Sequence, residues 1–211
     1  MRESSESSNL KGAPFAELGC VIMASGVGKR FGGNKLMAPF GKGVVLEGVL
    51  TATEGIFGKR VVVTRSEEVA KLCESKGIEV ILHRLPFRSD TVRLGIEAME
   101  PFARHCMFCP GDQPLITRES IYNMAMHIRK EPEYIWRTCH GTEEEITVGA
   151  PISFPCTYFD ALQDLPRGKG GGYVAQKYPE QVRLVPVRDA YELYDIDTPE
   201  DYERICRLQE R

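Results

Sequence analysis

The sequence has no apolar run approaching the roughly 20 residues a transmembrane helix needs, so a bilayer-spanning helix is excluded. It also lacks a charge excess. A net charge of −3 is too small for the footprint of a nucleic-acid or anionic-membrane binder, and neither partner is expected. Met1 to Asn9 is polar and serine-rich, without the apolar centre or small-residue cleavage site of a secretory signal. The expected location is therefore cytoplasmic, with residues 1–15 a flexible tail and residues 16–211 one domain. Cysteine is present seven times but without a disulfide framework, because the count is odd and the spacing scattered. Cys106 and Cys109 have the spacing of a redox or zinc motif, yet no second pair follows at zinc-site distance. They also sit in an apolar run that reads as a strand, where residues three apart face opposite sides, so both are expected in the core.

What is present reads as alternating strands and helices. Gly19 to Ala24, Arg60 to Thr64, Ile78 to Leu82, His105 to Cys109 and Val182 to Val187 are short β-branched or apolar runs and read as buried strands. Tyr134 to Arg137 and Ala150 to Phe154 are weaker strand signals. Helical patterns cover Val44 to Glu54, Glu67 to Lys76, Asp90 to Met99, Thr117 to Ile128 and Pro199 to Leu208. Thr117 and Thr198 are good caps, and Pro199 suits a first helical position. Strand–helix alternation in the first half calls for an α/β fold with a mostly parallel sheet covered on both faces. Glu143 to Glu145 reads as a solvated loop.

The first strand runs directly into Ser25-Gly26-Val27-Gly28-Lys29-Arg30-Phe31-Gly32-Gly33-Asn34-Lys35. A loop at this point lies on the carboxyl edge of a parallel sheet, where ligands bind. Glycines let backbone N–H groups turn toward phosphate oxygens, and Lys29, Arg30 and Lys35 add positive charge. A Walker loop is excluded: Met23 stands at its first glycine and Arg30 at its Ser/Thr position. The dinucleotide fingerprint is weak, because Phe31 occupies its last glycine and Arg65, not an acid, follows the second strand. A plain glycine-rich turn would not need three cations.

Met23-Ala24-Ser25-Gly26-Val27-Gly28-Lys29-Arg30-Phe31-Gly32-Gly33-Asn34-Lys35 resembles the Leu-Ala-Ala-Gly-x-Ser-x-Arg-Met/Phe-Gly-x-x-Lys signature of the nucleotidyltransferases of molybdenum-cofactor maturation, the MobA-like family, and most of all its cytidylyl members. Ser25 stands for Ala and Gly28 for Ser. Three further blocks follow in the family's order. Pro110-Gly111-Asp112-Gln113-Pro114 matches the Gly-Asp-Gln-Pro block; by itself Asp112 reads equally as a magnesium ligand completed by phosphate and water or as a turn residue. Thr91-Val92-Arg93-Leu94-Gly95-Ile96 matches Ser-Leu-x-x-Gly-Leu, at a helix start that offers free N–H groups. Asp195-Ile196-Asp197-Thr198-Pro199-Glu200-Asp201 resembles the closing block; Asp195 and Asp197 share a face if extended. Gly149-Ala150-Pro151-Ile152-Ser153-Phe154 is similar to the acceptor-side block. Lys169 departs from the pattern, standing where the family has Asp; it suits an anionic acceptor or an exposed mobile loop.

The resemblance implies a three-layer Rossmann-like nucleotide-diphospho-sugar transferase fold. It implies a magnesium-dependent transfer of a nucleoside monophosphate, CMP from CTP, to the phosphate of the molybdenum-pterin cofactor, with a molybdenum hydroxylase as a downstream partner. GTP, another phosphorylated acceptor, or a non-catalytic cofactor carrier are the alternatives. The implied roles are Arg30 and Lys35 in catalysis; Ala24, Ser25, Gly26, Lys35, Thr91 and Gly95 in nucleotide binding; Asp112 and Asp197 on the metal; and Pro151, Lys169 and Asp195 on the acceptor side. None is needed from His83, His105, His127 or His140, since an acceptor phosphate is already anionic.

Overall fold

The apolar runs pair into one seven-stranded sheet in a computed structural model of the chain, which describes residues 12–26, 28–142 and 144–209. The strands are β1 (Phe15–Ala24), β4 (Phe57–Thr64), β5 (Glu79–Leu82), β6 (His105–Pro110), β7 (Ile135–Gly141), β8 (Ile146–Pro155) and β9 (Val182–Pro186), in the order β5-β4-β1-β6-β8-β7-β9. A short hairpin of β2 (Pro39–Phe40) and β3 (Gly43–Val44) stands apart. β1 pairs in parallel with β4 and β6, β4 with β5, and β7 with β9, while β8 runs against β6 and β7. The sheet is thus mixed and mostly parallel.

Period-two alternation along each strand divides the core into two layers. Cys20, Ile22, Val62, Met107 and Cys109 face α1 (Val45–Ala52), α2 (Glu67–Ser75), α4 (Arg118–Lys130) and α7 (Pro199–Gln209). Val21, Val61, Val63, Cys106 and Phe108 face α3 (Arg88–Met99), α5 (Phe159–Gln163) and α6 (Gly171–Lys177). Cys106 and Cys109 therefore lie in opposite layers, both buried, as strand geometry requires.

Several boundaries differ from the sequence reading. β1 starts at Phe15, inside the segment read as a tail; its ring is fully buried edge-on to Tyr122, and its N–H donates to the Ile56 carbonyl. Residues 1–11 of that segment lie outside the described residues, as does Glu143 of the acidic loop. α3 starts at Arg88, because Asp90 reaches back to accept from the Phe87 N–H at 2.9 Å. The β2–β3 hairpin, α5 and α6 were not anticipated. Each is too short to show a period, and Gly170 to Gly172 at the start of α6 mask a helix with loop composition.

The connections place the site. From β1 the chain winds outward through β4 to β5, then returns to the other side of β1 as β6. The carboxyl ends of β1 and β6 flank that reversal of strand order, where a doubly wound sheet opens a crevice for ligands.

One buried group has a consequence for stability. His105 opens β6 at 1% exposure, its Nε2 donating to the Tyr134 carbonyl at 3.2 Å and its Nδ1 without a partner. Burial pushes its pKa down to about 4 from 6.5. The unfolded chain then takes up this proton near pH 6.5 and the folded chain only near 4, so stability is lost as pH falls through that window. The loss is about 3 kcal/mol at 1.36 kcal/mol per pKa unit. In urea unfolding at pH 7 and pH 4.5, His105→Phe should lose less stability than the parent chain; equal losses would contradict this account of His105.

Candidate active site

The glycine-rich loop leaves β1 at the crevice and is fastened at both ends. At its start, Thr64 Oγ1 donates to the Ala24 carbonyl (2.9 Å) and Arg65 Nε to the Ser25 carbonyl (2.8 Å). At its end, Asn34 Nδ2 donates to Ser66 Oγ and Glu68 Oε2, both at 3.0 Å. Phe31 packs edge-on against Tyr202 of α7. Gly28 holds φ +56°, and a Cβ there would lie 2.0 Å from the Gly33 carbonyl oxygen, so a side chain is excluded at this turn.

Four charged groups converge beside the loop. Lys35 Nζ lies 2.6 Å from Asp112 Oδ2 and 3.0 Å from Asp197 Oδ1, and Arg30 Nη2 lies 2.7 Å from Asp197 Oδ2. The Lys35 side chain is only 8% exposed. Burial works to strip its proton, but the Asp112 and Asp197 carboxylates prevail and hold the ammonium above the usual lysine value. Burial would likewise raise Asp197; Lys35 and Arg30 override it and keep that carboxyl below its ordinary range.

Backbone contacts bring the closing block to Asp112. The Ile196 N–H donates to the Asp112 carbonyl at 3.0 Å, and the Ile196 side chain is fully buried. With that residue turned inward, Asp195 and Asp197 emerge on the site side, as an extended piece requires. Asp195 keeps accessible surface at the rim, yet crowding in the cleft, together with Asp112 and Asp197, pushes its carboxyl up to about 6. Thr198 Oγ1 accepts from the Asp201 N–H (3.2 Å) while Asp201 Oδ2 accepts from the Thr198 N–H (3.0 Å), a reciprocal cap that starts α7.

A cavity of about 280 Å³ opens next to this cluster, walled by Ser25, Gly26, Arg65, Arg88, Thr91 and Asp112 among others. Thr91 Oγ1 is buried there without a hydrogen-bond partner. Ser25 Oγ lies 2.8 Å from His83 Nε2 and donates to the Val63 carbonyl at 3.1 Å. A larger groove of about 750 Å³ along α4, walled by Tyr122, Met126 and Val187, shares no wall residue with this cavity.

Of the residues singled out in the sequence, Ser25, Gly26, Thr91 and Asp112 wall the cavity, and Arg30, Lys35 and Asp197 join Asp112 in the ion-pair cluster; Gly95, Pro151 and Lys169 do neither. Gly95 does not line the cavity. A Cβ on it would meet Val21 Cγ1 at 2.7 Å, so its place is the tight packing of α3 on β1. Pro151 is buried in β8 behind a cis peptide bond with Ala150. Lys169 is exposed and lies in a turn leading into α6, its N–H donating to the Pro166 carbonyl. The neighbouring Gly168 N–H reaches Ser89 Oγ at 3.3 Å, which docks this turn on the start of α3. The sequence reading gave no role to Arg65, Pro86, Phe87 and Arg88, which wall the cavity, or to His83, which reaches it through Ser25. His83 and Arg65 directly follow strands β5 and β4, and that position on the ligand edge was the available signal.

Known proteins share this fold. By structure the chain is similar to Rv0371c of Mycobacterium tuberculosis H37Rv, at TM-score 0.79 and 22% identity over 90% of this chain and 98% of that one. Rv0371c is also known as a complex with manganese. A CMP:2-keto-3-deoxy-manno-octonic acid synthetase complexed with CTP has TM-score 0.70 at 14% identity, over 92% and 98% of the two chains. Both share the three-layer Rossmann-like nucleotide-diphospho-sugar transferase fold. By sequence the chain is 29% identical over 115 residues to 3-deoxy-manno-octulosonate cytidylyltransferase of Wigglesworthia glossinidia brevipalpis; the match covers 53% of this chain and 47% of that protein, so it spans about half the relative's length. The family model of the MobA-like NTP transferase domain matches residues 20–182, and the chain belongs to that family.

Proposed function

We propose that this protein is a nucleotidyltransferase that moves CMP from CTP onto the phosphate of the molybdenum-pterin cofactor, releasing pyrophosphate. The observation that supports it most is the meeting of Lys35, Arg30, Asp112 and Asp197 within ion-pair distance at the mouth of the Ser25–Thr91 cavity. The acceptor phosphate oxygen attacks the α-phosphorus, a new P–O bond forms, and the bond to the β-phosphate oxygen breaks. Two anions must approach, so the work of the site is alignment and charge neutralisation. Arg30 and Lys35 would exchange their carboxylate partners for the transferring and leaving phosphates. Ala24, Ser25 and Gly26 would hold the triphosphate or base through the backbone, with Thr91 on the base side.

The donor set also fits magnesium. Asp112 and Asp197 are hard oxygen donors that already converge on one cation, the Lys35 ammonium, and no group of three or more acidic, His or Cys ligands exists among the described residues. That sparse set suits an ion that keeps waters and substrate phosphates in its shell. Bound there, magnesium would neutralise phosphate charge and orient the α-phosphate. The manganese complex of Rv0371c supports a divalent ion in this fold. Asp195, Pro151 and Lys169 fall to the acceptor side. Lys169 in place of the family's Asp favours an anionic acceptor and keeps a second reading, a different phosphorylated acceptor, in play.

With magnesium, the molybdenum-pterin cofactor and each of the four ribonucleoside triphosphates in turn, pyrophosphate should appear fastest from CTP. Equal or GTP-preferred release would overturn the cytidylyl assignment. Release with a sugar phosphate but not with the pterin would overturn the acceptor, and nucleotide binding without any release would make the protein a carrier.

A further inference from the structure

We infer that His83 is a positioning residue that fixes the hydrogen-bond polarity of Ser25, so that the cavity selects cytosine over uracil. This rests on the reading of the cavity as the nucleotide's base site. The chain of contacts leaves each atom one role. The Leu85 N–H points to His83 Nδ1 at 3.2 Å, and a backbone amide only donates, so Nδ1 is the acceptor. Burial and the Arg65 guanidinium both lower the pKa of the ring, which favours its neutral form. Its one proton is therefore on Nε2 and is donated to Ser25 Oγ, 2.8 Å away. Ser25 has a single hydroxyl proton, and that is given to the Val63 carbonyl oxygen at 3.1 Å, an atom that only accepts. Arg65 Nε donates to the Ser25 carbonyl at 2.8 Å and holds the backbone from which the hydroxyl projects.

What Ser25 Oγ has left for the cavity is a lone pair. It accepts, and it does not donate without breaking the bond to Val63. Cytosine carries an exocyclic amino group, a donor, where uracil carries a carbonyl oxygen. Against this hydroxyl the amino group gains a bond, and the uracil oxygen meets a second lone pair. Thr91 Oγ1, buried and unpartnered in the same wall, is free to donate to the carbonyl that both bases share. A site built to pair with one polar group rejects an analogue that presents the opposite one.

Isothermal titration of CTP and UTP, with magnesium, into the parent chain, His83→Gln and His83→Leu tests this. The parent should bind CTP about tenfold or more tighter than UTP, the ratio that one hydrogen bond is worth. His83→Gln keeps an N–H donor and should keep most of that preference, whereas His83→Leu removes one of the two hydrogen bonds that hold the Ser25 hydroxyl in its rotamer, so that it can swing away from Val63 and donate into the cavity, and should bring the two affinities within about threefold. A merely structural role for His83 would weaken both nucleotides alike and leave their ratio unchanged, which would overturn the inference. A parent chain that binds UTP as tightly as CTP overturns it without any variant. Failure of every nucleotide to bind the parent would instead sink the reading of the site, and this inference with it.

Discussion

Asp112→Asn should lower magnesium-dependent turnover by about a thousandfold or more, the scale seen when one preorganised electrostatic group is removed from a transfer site. Asn has the size of Asp and no charge, so the change is confined to electrostatics. Asp112 lies two residues beyond the end of β6, and its backbone carbonyl is held by the Ile196 N–H, so the variant backbone should stay in place. What is lost is one of the two carboxylates that converge on Lys35, at 2.6 Å, and with it the donor expected to anchor the metal. Asp197 remains as the partner of Lys35, so the ammonium is not stranded. Circular dichroism should match the parent and the melting temperature should move by only a few degrees, while turnover collapses. Activity that survives at a tenth of the parent rate would remove Asp112 from the metal.

Lys35→Met is expected to damage both activity and the empty site. The side chain is almost fully covered and sits between two carboxylates, so a Met of similar length fills the volume and removes only the charge. Asp112, Asp195 and Asp197 then face one another with Arg30 as their remaining partner in this cluster, and Arg30 is 69% exposed and paired with Asp197 alone. Breaking a buried pair from one side costs about 3–5 kcal/mol in a fully enclosed setting; the partial exposure of Asp112 and Asp197 reduces this to about 1–3 kcal/mol. Turnover should fall by about a hundredfold to ten-thousandfold, because the leaving pyrophosphate loses its counter-charge. Equilibrium urea unfolding and pyrophosphate release on the same preparation measure both effects. A stable variant with unaltered kcat would show that Lys35 is a structural cation.

In the sequence Lys35, Asp112 and Asp197 stand in separate blocks. Each block was legible on its own: the parallel strands from β-branched runs, the loop from its glycines and cations, Asp112 from its place after a strand. Their pairing was not, since Lys35, Asp112 and Asp197 are far apart in the chain and nothing local records that they share one charge network. Gly95 was legible as part of a matching block, but not the close approach of α3 to Val21 that leaves no room there for a side chain. His83 was passed over because the chemistry needs no imidazole. Its contact with Ser25 depends on the register that places the ends of β1, β4 and β5 side by side. Short α6 was hidden by its glycines, and so the turn holding Lys169 could not be seen docking on Ser89.

The central claim is that the loop from Ala24 to Lys35 and the carboxylate of Asp112 hold a nucleoside triphosphate together with a divalent ion. Thermal unfolding of the parent chain and of Asp112→Asn, each with CTP, with magnesium, and with both, tests it most directly. A ligand at a hundred times its Kd stabilises the fold by about 2.7 kcal/mol, which for a chain of this size raises Tm by about 5–10 °C. The expected result is such a rise in the parent chain only when CTP and magnesium are present together, and little rise in Asp112→Asn. An equal rise without magnesium, or the same rise in both proteins, would contradict it.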